Sequence, residues 1–353
     1  MGEEPTYVAG LDENGMGPRL GPLIVTMALA RTHGAKATKL AQGKPPKSLA
    51  ERLDDSKALV DFRNGDLGEA WARALVARTG HAPPTTPDAL ARLLSLDTHA
   101  ELRAPCPSHH ADQCWGAEGE AFAAPDELVA RVARDLDALA KRGVDVIAIR
   151  SIIVCTRKLN DAAARGRTRF QVDLEAMERL VLHAREVAGA ELLATCGKVG
   201  GYDFYDGQFE HLAGRLRAPV CEGRARSEYR FPGLGSIAFV RDADADHTLV
   251  ALASLVGKWL RDAMMRRVVR FYQADVADAP DASGYHDPLT ARFVDATRLV
   301  RASRKVEDDC FERRKAQTGA GPTSSGPPRS KVQPKEPKTK QAPRPPRMLG
   351  RSR

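Results

Sequence analysis

Apolar residues along this chain fall into short runs and longer periodic stretches. Tyr7-Val8-Ala9 leads into Gly10-Leu11-Asp12-Glu13-Asn14-Gly15-Met16-Gly17-Pro18-Arg19-Leu20-Gly21-Pro22, and residues 23–30 are apolar again. Two such runs joined by a Gly- and Pro-rich segment predict an opening hairpin whose first strand ends in an acidic pair. From about 64 to 140 the sequence reads as helix rich in Ala, Leu and Arg, broken by Pro83-Pro84, Pro87, Pro105 and Pro107, and predicts a helical insertion. A strand follows at 144–149, continuing or pairing through 152–154. The stripe Leu174, Met177, Val181 and Ala184 then predicts a helix over 173–187, capped by Asp173 and ended near Gly189. Residues 191–196 predict another strand, followed by a turn with Gly197, Gly200 and Gly201. A strand over 236–240 comes next, and then a long amphipathic helix over 247–272, with Leu249, Leu252, Val256, Leu260, Met264 and Val268 in register. Strands interleaved with helices predict an α/β layered domain.

Length and composition allow a large core: 353 residues, 42% of them hydrophobic, suffice for one large domain or two ordinary ones. Six scattered cysteines and an N-terminus without a basic-then-apolar leader point to free thiols in a reducing, cytoplasmic compartment. No apolar run reaches membrane-spanning length. The formal net charge of +8 is unevenly spread: residues 313–353 hold twelve Lys or Arg against one acid, Glu336, so that segment is +11 and the remainder about −3. The basic segment is rich in Pro, Gly and Ser and nearly free of large apolar residues. It is expected to be a disordered tail that adds sequence-independent affinity for nucleic acid.

Asp12 and Glu13 end the first strand, and Asp244 stands ahead of the long helix. Carboxylates brought together from separate elements suit hard divalent ions such as Mg²⁺ or Mn²⁺, which activate water and stabilise the leaving oxygen in phosphodiester cleavage. Asp244 and Asp246 also suit a plain helix cap. The segment Cys106-Pro107-Ser108-His109-His110-Ala111-Asp112-Gln113-Cys114 has zinc-type residues but lacks paired C-x-x-C knuckles, and reads as a polar loop.

These segments together resemble ribonuclease HII. That family opens with G-x-D-E-x-G-R-G-P-x-x-G, followed closely by residues 10–21; its D-S-K-x-L matches Asp55-Ser56-Lys57-Ala58-Leu59. Its A-A-S-I-x-A-K-x-x-R-D helix is similar to residues 252–262, and the family acid ten residues before that serine falls on Asp244. Its G-Y segment matches Gly284-Tyr285. The resemblance implies a ribonuclease H-like mixed sheet flanked by helices over 1–312, with the insertion at about 64–140 and the tail at 313–353. It implies Asp12, Glu13 and Asp244 as catalytic ligands of Mg²⁺ or Mn²⁺, with Gly15, Met16, Gly17, Lys57, Lys258 and Tyr285 binding substrate and Arg261 near the backbone or supporting the site. The implied substrate is an RNA–DNA hybrid or DNA containing ribonucleotides, recognised through the 2′-hydroxyl.

The chain departs from the family pattern at two positions. Where the family has a third aspartate in a D-G pair, this chain has Cys196-Gly197, and Met16 stands for an arginine. A thiol is a poor ligand for Mg²⁺. Asp203 or Asp206, just past the glycine-rich turn, are the acids positioned to compensate. The alternative implied by these departures is a protein that binds hybrid or junction nucleic acid without cutting it.

Overall fold

The computed structural model describes residues 4–109, 112–200 and 202–314. Its framework is a seven-stranded mixed sheet in the order β3-β2-β1-β4-β7-β6-β5. The opening hairpin is present: β1 (Thr6–Asn14) and β2 (Leu23–Thr32) pair antiparallel, Thr6 opposite Thr32 and Asn14 opposite Ile24. Nine of the ten β2 residues are buried, because helices cover both faces there, which is why its sequence is continuously apolar rather than alternating. β3 (Val144–Val154) is one strand and not two, since it pairs with β2 from Val144 to Val154 with a single register shift at Leu29/Ala30. Its polar middle is satisfied in place: Ser151 Oγ bonds Thr26 Oγ1 at 2.9 Å and Arg150 donates to Leu93 O.

β4 (Leu192–Gly197) runs parallel to β1, and β7 (Gly235–Val240) parallel to β4. β5 (Ala218–Cys221) and β6 (Arg226–Phe231) add a hairpin on β7 that the run-based reading does not contain. The signal was there in β6, where Ser227, Tyr229 and Phe231 are buried and alternate with less buried neighbours. The sheet flanked by helices is thus the architecture expected.

On one face lies the long helix Thr248–Gln273, together with helices Asp66–Arg78, Pro87–Leu94 and Asp126–Lys141 from the stretch expected as an insertion. Their side chains share one core; Trp71 is fully buried and its indole N–H donates to Arg52 O at 2.7 Å. The other face is covered by helix Arg169–Ala188, which packs Phe170, Leu174 and Met177 against the Leu11, Val25 and Cys196 side of the sheet. This helix begins earlier than its apolar stripe suggests. Thr168 is the N-cap and exchanges a capping box with Gln171, so Asp173 is not a cap but lies inside the helix. The helix ends at Gly189, whose φ of 65° is left-handed.

Gly10 sets how closely the long helix meets the sheet. A Cβ there would lie 2.4 Å from both Leu249 C and Val250 N, so only glycine lets the start of that helix rest on β1. This contact brings the chain just before the helix to the end of β1. Among the described residues, no helix is long and apolar enough to cross a membrane. Residues 315–353, most of the expected tail, and His110 of the cysteine-histidine loop lie outside the described residues.

Candidate functional site

The parallel pairing of β1 with β4 places Leu11 opposite Cys196, so the acidic end of β1 lies beside Gly197. A Cβ on Gly197 would sit 2.7 Å from Asp12 Oδ1 and 3.4 Å from Glu13 Oε2, which shows how tightly both carboxylates crowd that glycine. After β7 the chain makes a short helical turn, Ala243–Asp246, led by Asp242 in a left-handed conformation. Asp244 on that turn faces the same cavity of about 260 Å³, lined also by Asp12, Glu13, Lys57, Lys258, Tyr285, Gly15 and Met16. Asp244 and Asp246 do not cap the long helix, whose N-cap residue is His247.

Carboxylates outnumber cations on the cavity wall, Asp12, Glu13, Asp242 and Asp244 against Lys57, Lys198 and Lys258. Burial, then the nearby Glu13 carboxylate, pushes Asp12 well above the ordinary carboxylate range. Burial and Asp173 push Glu13 up to about 8. Asp244 is raised by burial against the opposing pull of Lys57, whose Nζ lies 3.9 Å from its Oδ2. Burial draws the Lys57 ammonium down, but Asp244, Asp55, Asp12 and Glu13 outweigh it and hold its pKa above the usual lysine value. Lys258 leans toward Asp262, at 3.9 Å. Buried carboxylates are the hard oxygen donors that suit a divalent cation. Asp12, Glu13 and Asp244 could hold one, although among the described residues no three His, Cys, Asp or Glu side chains converge on one point as they stand.

The remaining sequence candidates are placed as follows. Gly17 does not line the cavity, and a Cβ there would meet open space. Asp203 is held by Lys198 at 2.6 Å and lines a neighbouring cavity with Arg224 and Arg241, while Asp206 pairs with Arg217 at 2.6 Å. Neither acid reaches the end of β1, because each is anchored to its own cation. Cys196 is wholly buried in the apolar cluster and lies beneath the cavity; burial, then Asp173, Asp12 and Glu13, keep its thiol protonated. Arg261 is buried and supports the site from behind. It donates to Ser283 O and lies with its guanidinium carbon 4.5 Å from the Tyr285 ring centre, leaving that ring 43% exposed.

Three contributors are absent from the motif reading. Arg313, expected as the first residue of the tail, is instead buried and donates to Gly15 O at 2.6 Å and Gly21 O at 2.8 Å. Arg169 donates to Met16 O at 3.0 Å, so the loop around Met16 is held by two arginines that are remote in sequence. The third is Asp173, fully buried in helix Arg169–Ala188, where burial, then the Asp12 carboxylate, push its carboxyl well above the ordinary range. Its signal was a charged residue on an apolar helical stripe between Phe170, Leu174 and Met177.

No family model matches the chain, and no curated protein matches it. Among solved structures it is similar to RNase HII of Archaeoglobus fulgidus, solved in complex with PCNA, at 16% identity and a TM-score of 0.41 over 88% of this chain and 98% of that one. It is similar to Bst-RNase HIII in complex with Mn²⁺ at 13% identity and a TM-score of 0.42, over 88% of this chain and 67% of that one. The ribonuclease H2 of Pyrococcus horikoshii OT3 is similar at 13% identity and a TM-score of 0.37, over 87% and 92%.

Proposed function

We propose that this chain is a divalent-cation-dependent endonuclease that hydrolyses RNA in RNA–DNA hybrids or ribonucleotides embedded in DNA. One observation carries the reading: four separate segments that resemble ribonuclease HII, around Asp12, Lys57, Asp244 to Lys258 and Tyr285, line a single cavity. Asp12, Glu13 and Asp244 are the residues to hold the cation. A bound Mg²⁺ or Mn²⁺ would supply an activated water and offset the charge that develops on the phosphate and the leaving oxygen.

The other residues bind and orient the substrate. Lys57, with its side chain mostly in solvent, pairs with a backbone phosphate, and Lys258 with another. The Tyr285 ring, braced by Arg261, offers a stacking face at the junction between RNA and DNA. The backbone at Gly15 and Met16, whose carbonyls Arg313 and Arg169 hold, would sense a 2′-hydroxyl. The basic residues beyond 314 add non-specific affinity. All six cysteines are free, which suits work in a reducing cytoplasm.

Cys196 favours a second reading, because a buried protonated thiol stands where the resembling family has a carboxylate: a protein that holds hybrid nucleic acid without cutting it. The test is cleavage of a labelled DNA duplex with one ribonucleotide, in Mg²⁺ and then Mn²⁺, by the native protein, Asp12→Asn and Cys196→Asp. Cutting by the native protein that Asp12→Asn abolishes supports the nuclease. An inactive native protein that gains cutting through Cys196→Asp supports the binder.

A further inference from the structure

Three segments meet beside the acidic cavity. Lys198 follows β4, and its backbone N–H donates to Val240 O at the end of β7, while the backbone N–H of Arg241 donates to Ala225 O in the turn between β5 and β6, both at 3.0 Å. The Lys198 side chain is only 5% exposed, and its ammonium donates to Asp203 at 2.6 Å, to Arg224 O at 3.0 Å and to Gly223 O. With all three donors used, this lysine fastens the β5–β6 turn to the strand end at Gly197. These groups enclose a cavity of about 430 Å³, lined by Lys198, Asp203, Arg224, Arg241 and Asp242. Lys198 and Asp242 also line the cavity of Asp12, Glu13 and Asp244, so the two share a wall.

The two cavities have opposite surpluses of charge. The acidic one has four carboxylates against three lysines, and its neighbour three cations against two carboxylates. Of those two, Asp203 is held by Lys198, and Asp242 pairs with Arg241 at 3.4 Å, a contact exposed on both sides and therefore weak. Among the described residues, no carboxylate lies within ion-pair reach of the exposed Arg224 guanidinium. Guanidinium groups match the oxygens of a phosphate, and a nucleic acid strand carries one phosphate per nucleotide step. A strand with its scissile linkage at Asp12 and Asp244 that passes the wall of Lys198 and Asp242 brings its next phosphates to these arginines. We propose that Arg224 and Arg241 form an anion site, built by the β5–β6 hairpin, that holds a backbone phosphate of the substrate strand close to the cleaved linkage. The inference rests on the nuclease reading above and deepens it: carboxylates serve the linkage that is cut, and arginines grip a neighbour.

The experiment is fluorescence anisotropy with a DNA duplex containing one ribonucleotide, at about 0.15 M salt, where exposed charges more than about 8 Å apart are screened. The parent is the full-length chain carrying Asp12→Asn, so that binding is read without cutting; the native chain in chelator gives the same comparison. Arg224→Gln/Arg241→Gln is set beside Arg230→Gln, which removes a charge from the same hairpin but pairs with Glu191 away from the cavity. The double variant should bind about tenfold more weakly, with the slope of log K against log salt shallower by about 1, and Arg230→Gln should stay within about twofold. Duplexes in which one linkage at a time near the ribonucleotide is a neutral methylphosphonate locate the contact. One of them should weaken the parent about tenfold and cost the double variant nothing further. A double variant no weaker than Arg230→Gln, or no linkage coupled to the two arginines, overturns the proposal. A parent that does not bind the duplex overturns it together with the nuclease reading. Native protein that never cuts, with the coupled linkage present, overturns the nuclease reading and leaves the anion site standing, whereas cutting without a coupled linkage overturns this inference alone.

Discussion

Gly197 and Asp12 are close enough that the glycine has no room for a side chain: a Cβ would lie 2.7 Å from Asp12 Oδ1. The clash is with the free end of a side chain and not with backbone, so a methyl group there would turn the carboxylate and leave the strand in place. Gly197→Ala should cut ribonucleotide cleavage by about 10- to 100-fold, since misplaced groups cost rates of that order, while changing stability by less than about 1 kcal/mol. Paired activity assays and urea melts check it; a stability loss above about 2 kcal/mol would mean that the backbone had moved instead.

Gly10 meets backbone on both near contacts, and the opposite outcome is expected there. Gly10→Ala must push the long helix off β1, because Leu249 C and Val250 N lie 2.4 Å from the new carbon and cannot rotate away. We expect a loss of about 2–4 kcal/mol in urea unfolding, as for other overpacked core sites, with Asp244 carried away from Asp12 and activity lost along with it.

The pH dependence of stability follows from Glu13, whose pKa is raised from an ordinary 4.5 to about 8 in the folded chain. The folded state then binds more protons than the unfolded one between those values, so the contribution is fully present below about pH 4.5 and is lost as pH rises through about 8. Without added metal, stability should fall by up to about 1.4 kcal/mol per pH unit for this proton over that window. Mn²⁺ should flatten the slope, because a bound cation favours the ionised carboxylates. Melting curves from pH 5 to pH 9, with and without Mn²⁺, measure both effects.

Arg313 and Arg314 are neighbours with unequal tasks. Arg313 is buried and holds the carbonyls of Gly15 and Gly21, whereas Arg314 pairs with Asp309 near the surface at 2.7 Å. Arg313→Ala should cost about 2–3 kcal/mol and raise KM for the duplex, because charge-assisted bonds that shape the Met16 loop are gone. Arg314→Ala should cost less than about 1 kcal/mol. Equal effects in denaturant melts would contradict this division.

Deleting residues 315–353 removes ten Lys or Arg and one acid, Glu336. Affinity for duplex should fall most at low salt, and the dependence of log K on log salt should become shallower. Cleavage at saturating substrate should stay within about twofold, since every residue placed at the cavity precedes 315. Fluorescence anisotropy over a salt series, beside single-turnover cleavage, separates the two.

Apart from the β5–β6 hairpin, the order of strands and helices was legible in the chain itself, as were many residues of the cavity. Strand and helix periods are local, and Asp12, Glu13, Lys57, Asp244, Lys258 and Tyr285 sit in compact segments whose spacing survives in one dimension. Local pattern left open whether β3 continues through Arg150 and Ser151 or breaks there; β2 and residue 93 supply their partners, and the strand continues. Nor did it show that Lys198 and Arg217 hold Asp203 and Asp206 away, or that Arg313 belongs to the core. Asp173 is the sharpest case. The apolar stripe suggested it as the helix cap, whereas Thr168 caps the helix and Asp173 lies inside it, its carboxylate wholly buried without a hydrogen-bond partner, which only the packing of that helix on the sheet decides. Secondary structure follows from neighbours along the chain, while the charge of a buried site is set by whatever residues the fold brings together.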